Sequence, residues 1–582
     1  PEASMIVNKK DIINLTSYLS KDGILEAELP KGKWTILRFG NTSTGATNSP
    51  ASIWGKGLEC DKFSRPAFKK HWDNFVQEVI DNSKELAPNA LQYIEIDSYE
   101  MGGQNWTDGF DKIYKDEKGY DIIEFLPLFA GRYVDDIETT KRVLWDLNDL
   151  YCDLMENNYY KYFTELCNEN GLKSYTEPYG MGHINEIDVT GVTDIPMTEF
   201  WMGRSLDRVF STVTASHVYG KNVISAESFT SRPELNWKMH PANAKVSGDN
   251  AWVRGVNEFM FHRFAHQANI HVEPGMTMGQ WGSHIDRTQT WWMNAGKSWF
   301  DYIARGSHLL RQGHPVADVL VFVGDNSHNG NILRKNLTPE IPIGLNFECT
   351  NADVLHNRIK LENQKMVLPE GNAFSYLILK NIENIRLSTL QRIKEISDAG
   401  VVIIGEKPKS LAGYKISEAD KNEFESLVDT IWSKPNCKLN YDFNTVEADF
   451  EVVGEDQIFL HRKTDEEDIY FFNNETDKAK TYECVFRISN KIPELWDAET
   501  GAIRQLAQFK NEGNLTRVWL KLRGEESAFI VFRKSSIDVV SIVKPDFENE
   551  YRLDQNKNIV ILSDEEGSKS VQLNNGETIN AK

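Results

Sequence analysis

Three apolar, strand-like runs of the chain end on a glutamate: Tyr93-Ile-Glu-Ile-Asp97-Ser-Tyr-Glu100, Lys173-Ser-Tyr-Thr-Glu177-Pro and Val223-Ile-Ser-Ala-Glu227-Ser. A helix-length segment separates each from the next. If the three are parallel strands, their carboxylates gather at one end of one sheet, where barrel enzymes place an acid and a base. Cleaving a glycosidic bond near neutral pH needs a proton donor for the departing oxygen. It also needs a second carboxylate, as base or nucleophile, at the anomeric carbon. Glu100 and Glu227 suit these two roles, with Tyr99, Trp106 and Phe229 beside them in sequence. Burial against such rings raises a carboxyl's pKa and keeps it protonated. Singly, each glutamate reads as a surface or ion-pairing group; the array is what points to catalysis.

Asp97 precedes Glu100 by three residues and Glu177 ends the intermediate run, so both are expected at the same mouth. An acidic cluster repels itself unless it shares a proton or a cation, and Ca2+, with roughly six to eight oxygen ligands, suits such a set. No EF-hand loop accompanies it. His262 and His266 have the four-residue spacing of zinc ligands on a helix, but HExxH is absent, and structural or substrate-contacting histidines are the expectation. Trp252, Trp281, Trp291, Trp292 and Trp299 crowd one segment: most are expected in the core, one or two as platforms for the C–H face of a sugar. Asn257, His284, Asp286 and Arg287 offer polar groups for a hydroxyl rim. No GxSxG elbow supports a serine nucleophile.

The elements that must position these groups follow from periodicity. Residues 1–57 read as β-rich, with a hairpin of Ile24–Leu29 and Trp34–Phe39 about Pro30-Lys-Gly32. From Ser64, Phe68, Trp72, Phe75, Val76, Val79 and Ile80 mark one helical face; Leu91–Ile96 is then a strand, and Lys141–Asn168 a long helix. Further strands are expected at 194–201, 223–227 and 256–261, a helix at 206–213 and a Trp-rich helix at 288–310. Strand and helix alternating over residues 58–312 predict a parallel (β/α) barrel. A closed barrel of this type has eight strands and only five are found, so the first ones are expected upstream of Pro1.

Residues 313–439 change character. Ala317–Val323, Ser375–Leu379 and Val401–Ile404 are unbroken apolar runs, as in strands buried on both faces, which predicts a flavodoxin-like α/β domain. It has no GxGxxG or P-loop pattern, and Gly324-Asp-Asn-Ser327 reads as a turn. Residues 440–535 alternate in the manner of an antiparallel sandwich, and 536–582 as the start of a further β domain or a tail.

At 582 residues the chain needs several cores. Its net charge of −21, without a long basic cluster, argues against nucleic acid and anionic membranes and favours neutral substrates or metal ions. No apolar run reaches the length of a membrane span. The six cysteines have no CxxC pair and read as buried thiols. The start at Pro1-Glu2-Ala3, without initiator Met or signal peptide, is read as a processed or truncated piece; a periplasmic or secreted location is a separate expectation, with no signal peptide in this chain.

Several blocks together carry a family resemblance. Gly57-Leu-Glu-Cys-Asp61-Lys-Phe-Ser64, Ile96-Asp-Ser-Tyr-Glu100, Asp194-Ile-Pro196, Ser225-Ala-Glu227-Ser-Phe-Thr230, and Pro274-Gly-Met-Thr-Met-Gly279 through Gly282-Ser-His-Ile-Asp-Arg287-Thr-Gln-Thr-Trp-Trp292 resemble the α-L-rhamnosidases of glycoside hydrolase family 106. The likeness runs over roughly residues 5–535 and is most specific in the last block. It implies a (β/α)8-type catalytic domain with appended β domains, and calcium-dependent, inverting attack on a terminal α-L-rhamnosyl linkage in pectin or a rhamnoside. It makes Glu100 the general acid and Glu227 the general base, with Asp97, Glu177 and Glu199 as calcium or sugar contacts. Asn257, His262, His284, Asp286, Arg287 and Trp291 complete the expected substrate rim, and Glu177 and Glu199 the metal set. The competing expectations are a non-catalytic carbohydrate-binding protein with a degenerate barrel, and a barrel glycosidase of another specificity, such as a β-galactosidase-like enzyme.

Overall fold

The computed structural model describes residues 5–49, 51–87, 89–235, 237–269, 271–272, 281–325, 333–534, 540–544, 547–554, 558–563 and 566–581. Five strands lie side by side in chain order and all run parallel: β1 (Tyr93–Ile96), β2 (Lys173–Thr176), β3 (Ile195–Trp201), β4 (Ser225–Thr230) and β5 (Glu258–Phe261). Helices Ile137–Met155 and Lys161–Glu169 cross from β1 to β2, Glu186–Val192 from β2 to β3, Val209–Val218 from β3 to β4, and Pro241–Trp252 from β4 to β5. This is the βα alternation of a barrel, curled into an open half among the described residues.

The crossover helices pack apolar residues against the sheet, although Leu144 of the first stands exposed. Ile137–Met155 turns Val143, Leu147, Leu150 and Leu154 onto a core with Phe110, Tyr114 and Phe125. Phe68, Trp72 and Ile80 are buried likewise, but Phe75 and Val79 of the same expected face lie exposed, so that stripe is narrower than the apolar spacing suggests. Under the sheet, Trp252, Phe259, Phe229 and Trp299 pack ring against ring, joined by Phe471 and Phe529 of the sandwich.

The next sheet has strands β6 (Val319–Phe322), β7 (Phe347–Thr350), β8 (Tyr376–Leu379), β9 (Val402–Ile404) and β10 (Cys437–Lys438), all parallel, in the order β7-β6-β8-β9-β10. That is a doubly wound order of the flavodoxin type. The turn after β6 serves the fold, because Asp325 accepts a hydrogen bond from the Arg386 amide (2.7 Å) and so holds the start of helix Leu387–Asp398. Asn326 and Ser327 lie outside the described residues. Antiparallel sheets of four and six strands follow, and the six-stranded one takes in His314–Pro315 from the end of the barrel segment. Two hairpins, Glu550–Leu553 with Ile559–Leu562 and Lys569–Gln572 with Thr578–Ala581, share a small core of their own.

Two expectations are corrected. The hairpin over Ile24–Phe39 does not form: residues 24–29 and 34–39 have no ladder with each other or with a third strand, and Ile24, Trp34, Ile36, Leu37 and Phe39 stand exposed. Both runs have β propensity, but a strand is stabilised by its neighbour. The Trp-rich helix starts only at Ala295 and runs to Leu310; Thr288–Asn294 is a series of turns. The block Pro274–Gly279 lies outside the described residues.

Candidate active site

The strand register assembles the carboxylates. β1 and β2 pair Ile96 with Thr176, so Asp97 and Glu177 follow side by side, and the Glu177 amide donates to the Ile96 carbonyl at 3.0 Å. β3 and β4 pair Glu199 directly with Glu227. One carboxylate oxygen from each of Asp97, Glu177 and Glu227 falls within 4.8 Å of the other two. Parallel strands direct every second side chain to one face, and four neighbouring strands bring an acid there: Asp97 and Glu177 directly after β1 and β2, Glu199 and Glu227 within β3 and β4.

Three such groups cannot all ionise freely. Burial pushes the Glu177 carboxyl well up from the ordinary glutamate range, and Asp97 and Glu227 push it further; its Oε1 is buried without a hydrogen-bond partner among the described residues. Burial likewise raises Glu227 to about 7, reinforced by Asp97, Glu199 and Glu95, while a hydrogen bond from Thr230 pulls the other way. Thr230 Oγ1 lies 2.7 Å from Glu227 Oε1 and 3.1 Å from His262 Nδ1; His262 Nδ1 is itself 3.5 Å from that carboxylate. Burial and the nearby Arg263 lower the His262 pKa, so the ring is neutral near pH 7. The set suits a hard cation, because all three donors are oxygen and one is buried and unpartnered.

Thr230 reaches Glu227 because β4 is irregular. Between Glu199 and Trp201 strand β3 advances two residues, while β4 advances three, from Glu227 to Thr230. The extra residue is accommodated at Phe229, whose φ of +64° is a left-handed conformation rare for a bulky side chain. Such strain costs about 1–3 kcal/mol. Phe229 is held there by packing on Phe200, Phe259 and Trp299, and its carbonyl accepts from Ser283 Oγ at 2.5 Å.

A cavity of about 2240 Å³ runs between the N-terminal segment and the loop after β1, where Tyr99, Gln104 and Trp106 border it; the four carboxylates do not line it.

The sequence matches the family model of the glycoside hydrolase family 106 α-L-rhamnosidases over residues 1–511. The chain belongs to this family. A protein of Formosa agariphila that bears a beta-glucuronidase name, provisionally assigned, is 38% identical over 560 residues, or 94% of this chain and 47% of that protein. Among solved structures, the rhamnosidase from Novosphingobium sp. PP1Y superposes with a TM-score of 0.82 at 26% identity, over 93% of this chain and 54% of its own. The chain thus spans about half the length of these two relatives. A beta-galactosidase from Bacillus circulans sp. alkalophilus, at 9% identity and a TM-score of 0.50, covers 82% of this chain and 84% of its own and shares the fold alone.

On this family 106 scaffold the expected site residues separate into groups. Asp97, Glu177, Glu227 and His262 converge at the mouth. Glu100 sits just beyond β1, exposed and without a hydrogen bond or ion pair among the described residues. Glu199 is at the mouth but outside the close carboxylate set; its carboxylate accepts from the Trp201 indole at 3.0 Å and lies 3.9 Å from Arg208.

His284 is buried and stacked on Trp237, ring centroids 3.4 Å apart, with neither ring nitrogen hydrogen-bonded among the described residues. It is close to β5, since the neighbouring Ser283 amide donates to the His262 carbonyl at 3.0 Å. Arg287 is exposed.

Three expectations of the rim are corrected. Asn257 is fully buried at the entry to β5, accepting from the Ile224 amide (2.9 Å) and donating to the Asn222 carbonyl (2.9 Å), so its amide ties strands together. Asp286 accepts from both the amide and the hydroxyl of Thr288, closing a turn in the interior. Trp291 is partly buried, packs on Trp299 and donates its indole N–H to the Met239 carbonyl (3.2 Å), so that edge of the ring is committed to the protein.

Conversely, Thr230, Tyr179, Trp201 and Arg208 join the mouth without having stood out in the sequence. The Arg208 guanidinium lies over the buried Tyr179 ring at 3.7 Å, and Trp201 stacks under Arg204 at 3.9 Å and meets the half-exposed Trp281 edge-on. Tyr179 and Trp201 each lie two residues beyond a strand-end acid, Glu177 and Glu199, and that proximity is the signal the sequence offers for them.

Proposed function

We propose that this chain carries the acid/base site of an α-L-rhamnosidase that removes terminal α-L-rhamnose from pectin or rhamnosides, with inversion and with calcium assistance. The observation that supports it is the convergence of Asp97, Glu177 and Glu227 from three strand ends of a family 106 half-barrel. Glu227, partly buried on β4 beside Asp97 and Glu177, takes the proton of the attacking water. Glu100, on the loop beyond β1, gives its proton to the departing oxygen; its exposure suits a site that a leaving group must enter and leave. Asp97, Glu177 and an oxygen of Glu227 would hold Ca2+, which when bound offsets their mutual repulsion and orients sugar hydroxyls. We place the enzyme in the periplasm or outside the cell, where plant polysaccharide is met; no helix among the described residues is long and apolar enough to cross a membrane.

The mouth also argues on substrate. A 6-deoxy sugar would place its methyl group against rings such as Trp201 and Trp281, an apolar contact that the carboxylate of a glucuronide would not suit. The test is a panel of 4-nitrophenyl glycosides assayed with Ca2+ and with chelator. Release from the α-L-rhamnoside, lost on chelation, is expected. Turnover of the β-glucuronide or β-galactoside instead would overturn the specificity, and rhamnose binding without turnover would mark a binding protein.

A further inference from the structure

We propose that Thr230 is the positioning residue of this site: its buried hydroxyl bridges Glu227 and His262 and fixes the imidazole with its proton on Nδ1, so that Nε2 presents a lone pair to a hydroxyl of the bound sugar. The inference rests on Glu227 acting as the base. A threonine hydroxyl has one proton to give. With Glu227 ionised, as a base must be before it acts, its Oε1 can only accept, and at 2.7 Å it takes that proton. Towards His262 Nδ1, 3.1 Å away, the hydroxyl then has only lone pairs left, so Nδ1 is the protonated nitrogen. A neutral imidazole with Nδ1–H has an acceptor at Nε2. The 3.5 Å separation of Nδ1 from Glu227 Oε1 favours the same tautomer, since a proton there faces the carboxylate.

The backbone around Thr230 supports this role independently. A regular β4 would alternate its side chains, directing residues 227 and 229 to one face and 230 to the other. The additional residue at the irregularity, with Phe229 at φ +64°, brings Thr230 level with Trp201 and onto Glu227. The Thr230 carbonyl accepts from the Met202 amide at 2.8 Å, and the His262 amide donates to the Ser228 carbonyl at 2.9 Å, so both partners of the bridge are tied to β4 and its neighbours. The strained residue and the hydroxyl it redirects form one device.

The test compares T230V, which keeps the shape and removes the hydroxyl, with T230S, which keeps the hydroxyl. Turnover of 4-nitrophenyl α-L-rhamnoside is measured alongside 15N shifts of histidine-labelled enzyme, in which H262Q identifies the His262 ring. T230V is expected to lower kcat/KM roughly 10- to 100-fold, the loss of a hydrogen bond to a charged group, and T230S to recover most of it. In the H262Q background T230V should cost less than it does alone. The wild-type ring should show Nδ1–H, and T230V a mixture of tautomers. Wild-type turnover in T230V, or an Nε2–H tautomer in the wild-type protein, would overturn the inference while E227Q remained inactive. An active E227Q would instead overturn the assignment of the base, and the tautomer measurement would still decide the role of Thr230 without any turnover.

Discussion

The barrel mouth and the β-sandwich each collect acidic side chains around a histidine, and they treat them in opposite ways. In the sandwich, His461 is buried with Asp449 on one ring nitrogen at 2.8 Å and Asp468 on the other at 3.2 Å. Tyr470 donates to Asp449 at 3.0 Å and Lys491 pairs with Asp468 at 2.6 Å. Burial alone would lower the His461 pKa, but the two carboxylates override it and raise it, so the ring stays cationic and donates from both nitrogens. At the mouth, Asp97, Glu177 and Glu227 face one another with no lysine or arginine paired to them among the described residues, Glu177 Oε1 has no partner, and His262 is held neutral. The compensated cluster stabilises the fold; the uncompensated one retains repulsion that a proton, a cation or a substrate can relieve.

This contrast can be broken from either side. The largest effect belongs to the mouth: E227Q should lower turnover roughly 100- to 10,000-fold, as expected for loss of a general base, with a melting temperature equal to or above wild type because a like charge has gone. A marked loss of thermal stability would place Glu227 with the structural cluster instead. H461A should do the converse, costing about 3–5 kcal/mol in denaturant unfolding by leaving two buried carboxylates without their cation, with KM for the rhamnoside unchanged in the protein that remains folded.

The pH dependences of stability have opposite signs. In metal-free protein Glu227 binds its proton more tightly folded than unfolded, because its pKa rises from 4.5 to about 7. Its contribution is therefore full below pH 4.5 and is lost as pH rises through about 7, about 3 kcal/mol in all, and E227Q should flatten that limb. At Asp468 burial is outweighed by hydrogen bonds from His461 and Lys491, and its pKa falls from 3.8 to about 2. Its contribution is full above pH 3.8 and is lost as pH falls through 2. Urea unfolding across roughly pH 2–8 reads both limbs. The smallest effect sharpens the boundary of the site: W291F should cost about 1 kcal/mol for the lost bond to the Met239 carbonyl and leave KM for the rhamnoside unaltered.

What could be read from the chain depended on how local its cause is. The parallel strands that carry Glu177 and Glu227 were legible because short apolar runs with β propensity alternate with helical stripes, and parallel pairing then places the acids together; that the second strand continues past Glu227 to Thr230 was not. Around β6 the three central strands were legible from unbroken apolar runs, whereas the edge strands β7 and β10, which complete the doubly wound order, were not. Thr230 was not legible, because a one-residue irregularity beside Phe229 decides which face it serves, and that depends on aromatic packing from β3, β5 and Trp299. Asn257 and Asp286 were placed at a sugar rim on residue type alone, whereas backbone groups distant in sequence or a following threonine take up their polar atoms. The unformed hairpin at 24–39 shows the same limit: propensity is local, but a strand's hydrogen bonds come from its partner.

The most direct measurement is the configuration of the sugar released from 4-nitrophenyl α-L-rhamnoside, followed by proton NMR in the first minutes, for the wild-type enzyme and E227Q with Ca2+ present. The β-anomer should form first with wild type, and no sugar above background with E227Q. Release of the α-anomer, or release undiminished by E227Q, would contradict a mouth in which Glu227 activates water for inversion.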